Sequence, residues 1–189
     1  MKANARGASL TPKVGPVSCP AMPGVDAANR AVRRGGAVVK IAIASDHAGF
    51  QMKRMLKEFL ASLGHEVRDF GADSEDPVDY PDTGREAALS VAAGDSDVGI
   101  LICGTGIGMS IVANKVPGIR AALCNDVVCA RLTREHNDSN VLALGARVIG
   151  NETARELVGT WLSTDFVGGR HTRRVEKISA MDREFRKAL

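Results

Sequence analysis

The stretch DVGILICGTGIGMSIVANK, residues 97–115, runs from an apolar, β-rich segment through a cysteine into a turn with glycine at 104, 106 and 108. A helical pattern follows at once. A short strand without polar alternation marks a sheet covered on both faces. The glycines let backbone N–H groups approach an anion, and the amino end of the next helix adds partial positive charge. The spacing G-x-G-x-G is neither the dinucleotide fingerprint G-x-G-x-x-G nor a Walker A loop. No arginine near Met109 closes the loop, as a cysteine phosphatase loop would need. Two readings stay open: an anion-binding loop whose helix end favours a thiolate, or a tight turn over a buried thiol.

The same strand–helix alternation recurs on either side. β-rich runs cover 38–45, 66–70, 98–102, 119–124 and 141–144. Helical patterns cover 49–63, 80–93, 109–115, 152–162 and 175–188, with one more running from a cap at Asn125 or Asp126 to about Glu135. Gly64 suits a helix stop, and Pro81 a helix start. The pattern predicts an α/β fold, a Rossmann-like three-layer α/β/α sandwich around a five-stranded parallel sheet. Ligands of such sheets bind beyond the carboxyl ends of the strands, which singles out loops 45–49, 103–108, 125–126 and 145–150.

Composition narrows the class. No apolar run approaches the roughly 18 residues that span a bilayer, so no membrane association is expected. Cys19, Cys103, Cys124 and Cys129 form no C-x-x-C pair and no zinc-like cluster, which predicts reduced thiols in a cytoplasmic protein. The first forty residues carry seven basic side chains and one acid, net +6; against +3 for the whole chain, the remainder stands at −3. A mildly acidic body gives nucleic-acid binding no support. Residues 1–37 mix Pro, Gly, Ala and Arg without apolar periodicity and are expected to be a disordered extension, with the folded domain over 38–189. Its four prolines favour an upstream start or spacer over an organelle transit peptide.

The candidate loops each admit a plain and a chemical reading. Asp46 can cap a helix, whereas His47 at a strand end faces the cleft expected there. Tyr80, the chain's single tyrosine, stands in a turn entering a helix. His136 and Asn137 near a helix end are ordinary caps, or a proton-transfer group beside an amide donor. Arg170 and Arg174 share a face if their segment is helical, and two guanidinium forks match a phosphate dianion; otherwise they sit on a solvated basic turn. Together these groups suit proton abstraction next to a carbonyl on a small phosphorylated substrate, with neither metal nor organic cofactor.

The runs ASDHAGF, DYPD, GILICGTGIGMSIVANK, EHNDSNVLALGAR and GGRHTRRV resemble ribose-5-phosphate isomerase type B, whose family includes allose- and galactose-6-phosphate isomerases. The resemblance covers about residue 38 to the C-terminus. It implies a Rossmann-like homodimer or dimer of dimers, with each site completed by the neighbouring subunit. It makes Cys103 the base that moves a proton between C2 and C1 of ribose 5-phosphate through a cis-enediolate, in the pentose phosphate pathway. Gly104, Gly106, Ile107 and Gly108, with Asn137, would hold the negative oxygen. Thr105 would shuttle a proton between substrate oxygens, and His136 would open the furanose ring. Asp46 would bind sugar hydroxyls, and Tyr80 would line the pocket. His47, Arg147, Arg170 and Arg174 would hold the phosphate, the last two from across the dimer interface. One branch of the family replaces the cysteine with a glutamate further along the loop helix; Ile111 and Val112 stand there, which puts this chain in the cysteine branch. An aldohexose-6-phosphate isomerase and a non-catalytic sugar-phosphate binder are the rival readings.

Overall fold

In a computed structural model, residues 38–186 are described; the extension expected over 1–37 and Cys19 lie outside them. Five strands, β1 (Lys40–Ser45), β2 (Glu66–Asp69), β3 (Val98–Cys103), β4 (Ala121–Leu123) and β5 (Val141–Gly145), form one sheet in the order β2-β1-β3-β5-β4. Every pairing is parallel. The helices are α1 (Phe50–Ser62), α2 (Tyr80–Ala93), α3 (Ile107–Ala113), α4 (Val127–Asn137), α5 (Asn151–Ser163) and α6 (Arg170–Arg186). The fold is therefore the three-layer α/β sandwich that the alternation predicts. Among the described residues no helix is long and apolar enough to cross a membrane.

The two faces of the sheet are chemically unequal. Ile41, Ile43, Ile100, Ile102, Leu142 and Leu144 point one way and pack with residues of α1, α4 and α5, including the fully buried Trp161. Ala42, Ala44, Leu101, Cys103 and Ala143 point the other way, beneath α2 and α3. Small side chains on that second face let its helices come close. At Gly84 of α2, an added Cβ would lie 2.6 Å from the Met109 sulfur of α3.

Boundaries follow local chemistry. Gly64 (φ +82°) and Gly94 (φ +81°) end α1 and α2 in the left-handed conformation glycine tolerates. Asp126 caps α4, its Oδ1 accepting the Cys129 N–H at 2.8 Å. α3 begins two residues before the predicted start, because Gly106 takes the positive φ and frees Ile107 for the first turn. α6 begins at Arg170 rather than 175, directly after the left-handed pair Gly168–Gly169. β4 is shorter than predicted and pairs on one side only, with β5.

The end of β2 carries a charged lock. Burial pushes the Asp69 carboxyl up, but hydrogen bonds from Lys53, Lys57 and the Gly71 N–H outweigh it and hold the group below its ordinary value of 3.8. A carboxyl lowered on folding stabilises the fold above its unfolded value, and that contribution disappears as pH falls through the folded value. The drop in urea midpoint between neutral pH and pH about 3 is thus expected to be smaller for Asp69→Asn than for wild type. Equal drops would show that Asp69 is not a source of the acid sensitivity.

Candidate active site

Cys103 closes β3 at the carboxyl edge of the sheet, paired with Gly145 of β5. It is 5% exposed, and its Sγ accepts the Gly106 N–H at 3.1 Å. The sulfur therefore stands at the mouth of the glycine loop, against a donor that would steady a thiolate. Gly106 carries φ +77°; a Cβ there would lie 2.5 Å from Leu123 and 2.8 Å from the Leu144 carbonyl carbon. The left-handed backbone alone costs other residues about 1–2 kcal/mol. Thr105 is exposed beside it, its Oγ1 accepting the Ile107 N–H at 3.3 Å.

Neighbouring strands bring further groups to the same edge. Asp46 follows β1, donates its N–H to the Ile102 carbonyl at 3.1 Å, and accepts the Gly49 N–H on Oδ1 at 2.9 Å. The carboxylate is thus partly engaged as the predicted cap. His47 adjoins it, with Nδ1 buried and lacking a hydrogen-bond partner among the described residues. Arg147 follows β5 and lies along Gly104, whose Cβ position is 3.5 Å from the arginine Cδ. Tyr80 lies against Gly108, whose Cβ position would be 2.7 Å from the ring. Cys103, Thr105, the loop glycines with Ile107, Asp46, His47, Tyr80 and Arg147 thus share one end of the sheet.

His136, Asn137, Arg170 and Arg174 do not. α4 leaves β4 at the carboxyl edge and runs back to the amino end of β5, so its last residues lie on the far side. Eleven residues of helix and five of strand give a separation on the order of 13–16 Å. The resemblance sends only Arg170 and Arg174 across an interface, yet His136 and Asn137 stand with them. Within one chain, Asn137 is not beside the loop 104–108.

This second cluster is ordered by its own contacts. The His136 and His171 rings stack face to face, centroids 4.2 Å apart and 1° from parallel. Arg170 Nε donates to His171 Nε2 at 3.3 Å. Burial, then the charges of His136, Arg170 and Arg174, hold His171 below its ordinary value. Arg120 donates from Nε to the carbonyls of Asn137 at 3.1 Å and Asp138 at 2.9 Å, fixing the left-handed turn at Asp138. Arg134, fully buried, donates to the Ser139 carbonyl and pairs with Asp138. A groove of about 320 Å³ opens beside this cluster, bounded by Asn114, Arg120, Thr133, Asn137 and Ile178; it does not reach Cys103.

His171 and Arg120 carry no role in the sequence reading. His171 lies inside the GGRHTRRV run, where the arginines drew the attention. Arg120 has no motif around it, and only the fold brings it to Asn137.

A family profile described as Ribose/Galactose Isomerase matches residues 41–178. The chain belongs to this family. Ribose-5-phosphate isomerase B of Escherichia coli (strain K12) is 50% identical over 143 residues, covering 76% of this chain and 96% of that protein. D-erythrulose-4-phosphate isomerase of Pectobacterium atrosepticum is 46% identical over 143 residues, covering 75% and 93%. The solved ribose-5-phosphate isomerase B of Clostridium thermocellum superposes with a TM-score of 0.76 at 53% identity, over 77% of this chain and 99% of that one. As a ribose/galactose isomerase family member, the chain is a sugar-phosphate isomerase.

Proposed function

We propose that the protein interconverts D-ribose 5-phosphate and D-ribulose 5-phosphate through a cis-enediolate, at sites completed by a second copy of the chain. The observation that carries this reading is the Cys103 sulfur at the mouth of the glycine loop, 3.1 Å from the Gly106 nitrogen. A base beside an anion hole is what proton transfer next to a carbonyl requires.

In this scheme the furanose ring opens first, with His136 of the second copy transferring the proton between the anomeric hydroxyl and the ring oxygen. The Cys103 thiolate then takes the C2 proton, and charge builds on O1. Backbone N–H groups of loop 104–108 and the partner's Asn137 hold that charge. Thr105 passes a proton from O2 to O1, and Cys103 returns its proton to C1 to give the ketose. Bonds and protons balance without an outside oxidant or reductant. Asp46 holds sugar hydroxyls and Tyr80 lines the pocket. His47 and Arg147 grip the phosphate with the partner's Arg170 and the partner's Arg174. The in-chain separation of the two clusters supports a two-copy site, in a homodimer or a dimer of dimers.

The relative that acts on a four-carbon sugar phosphate keeps chain length open as a second reading. Comparing kcat/KM on D-ribose 5-phosphate, D-erythrose 4-phosphate and D-allose 6-phosphate is expected to rank the pentose first. Discrimination per carbon should be about 10–200-fold, the range one methylene supports. A different leader reassigns the substrate, whereas binding without turnover on all three would leave a sugar-phosphate binder.

A further inference from the structure

We propose that Lys53 is a positioning residue for the sugar-phosphate site, its buried ammonium fixing the backbone that carries Asp46 and His47. The inference rests on the isomerase reading above and adds a residue that touches no substrate.

Lys53 lies on α1 at 1% side-chain exposure. Its Nζ donates to Asp69 Oδ1 at 2.6 Å and to the Ala72 carbonyl at 2.6 Å. Asp69 Oδ1 also accepts the Gly71 N–H at 3.0 Å, while Lys57 takes Oδ2 at 2.6 Å. Residues 71 and 72 are thereby held from both sides. They in turn clamp Ser45: the Ser45 N–H donates to the Gly71 carbonyl at 2.6 Å, and the Ala72 N–H donates to the Ser45 carbonyl at 2.7 Å. That carbonyl accepts a second bond, from Thr83 Oγ1 at 3.0 Å, in the first turns of the helix that begins at Tyr80. Asp46 and His47 follow directly in the chain.

Of the side chains of this segment, Asp46 is engaged on the Gly49 N–H at 2.9 Å, but its two neighbours are not so held. Ser45 Oγ and His47 Nδ1 are buried without a hydrogen-bond partner among the described residues. Beside the Asp46 N–H on the Ile102 carbonyl, the segment's geometry comes from the backbone clamp, which ends on the Asp69 carboxylate at Gly71 and on the Lys53 ammonium at Ala72. The pairing with Asp69 stabilises the fold, but apolar packing could stabilise this position as well. Position 53 falls on the apolar stripe of α1 with Leu56 and Leu60, where an aliphatic side chain of similar volume would avoid the cost of desolvating an ammonium. What the ammonium adds is direction: two acceptors held at fixed points, one of them the backbone beside the substrate loop.

The test is Lys53→Met, which keeps length and volume and leaves Asp69 paired with Lys57. KM for ribose 5-phosphate and the inhibition constant of inorganic phosphate are each expected to rise about tenfold, as displaced binding groups cost at least that much. The rate at which iodoacetamide alkylates Cys103 without substrate is expected to stay unchanged, because loop 104–108 lies outside the clamp. Lys57→Met, which removes the lysine that does not reach Ala72, should change both constants less than about twofold. Asp69→Asn, which leaves Lys53 on Ala72, should raise them less than Lys53→Met does; it serves if that variant fails to fold. Wild-type constants in folded Lys53→Met overturn the proposal. So does a loss that tracks the unfolded fraction and is matched by faster Cys103 alkylation. If the wild-type protein turns over no aldose phosphate, the isomerase reading fails, while the Kd for inorganic phosphate measured by calorimetry still reports whether Lys53 positions the site.

Discussion

Cys103→Ala is expected to lower kcat on ribose 5-phosphate by about 10²–10⁴-fold, the range a positioned acid–base group supplies, with Kd for the sugar phosphate changed by less than about threefold. The asymmetry follows from where the sulfur sits. It is the last side chain of β3, on the small-residue face of the sheet, and it reaches the cleft beside the Gly106 N–H. The proposed phosphate and hydroxyl ligands are carried by other loops, so removing the sulfur takes the base and leaves the grip. The stability cost should be small, about 1 kcal/mol for one buried heavy atom. Direct absorbance of the ketose reads kcat, and calorimetry with the aldose phosphate reads Kd. Cys103→Ser is the companion variant, since a hydroxyl of similar size keeps its proton at neutral pH and should be almost as slow. If Cys103→Ala retained more than about a tenth of wild-type kcat, the base would have to be another group at the carboxyl edge of the sheet.

Much of this arrangement is readable in the chain, and the parts that are not share a physical reason. α2 is read to both ends: Pro81 marks its first turn, and the pattern stops at 93, where the structure turns at the left-handed Gly94. β3 is read because an unbroken apolar run this short, bounded by a glycine turn, suits a buried strand better than a helix. The start of α3 is misplaced because three alternating glycines do not reveal which one takes the positive φ; the packing of Gly106 against Leu123 and Leu144 decides it. For the site, residue types and motif order single out the side chains that the fold gathers into two clusters, but spacing says nothing about direction. Only the sheet order and the antiparallel run of α4 reveal that His136 and Cys103 lie at opposite ends. Lys53 did leave a trace: a lysine on the apolar stripe of an amphipathic helix, one turn from Leu56, is a buried charge in need of acceptors. Those acceptors come from residues 69–72, which no local pattern connects to it.

Mixing two inactive variants should restore activity, and this is the sharpest expectation the split site creates. Cys103→Ala damages the cluster at the carboxyl edge of the sheet, and His136→Asn damages the cluster at the end of α4. In a homodimer of either variant, both sites are broken. In a mixed dimer, one site combines both defects while the other combines the intact loop of one copy with the intact histidine of its partner. Random pairing of equal amounts makes half the dimers mixed, each with one intact site, so about a quarter of wild-type specific activity should return. Re-pairing after mild denaturation, or co-expression with two affinity tags, allows the mixed species to be isolated and assayed. The converse arm uses the double variant mixed equally with wild type: every mixed dimer then has one defect in each site, and activity per wild-type chain should fall to about half. A site built within one chain predicts no recovery in the first mixture and no loss in the second. Because the two arms move in opposite directions, changes in expression or folding cannot imitate the pair of results. What distinguishes the two architectures is the same geometric fact, a helix that carries its histidine away from the cysteine of its own sheet.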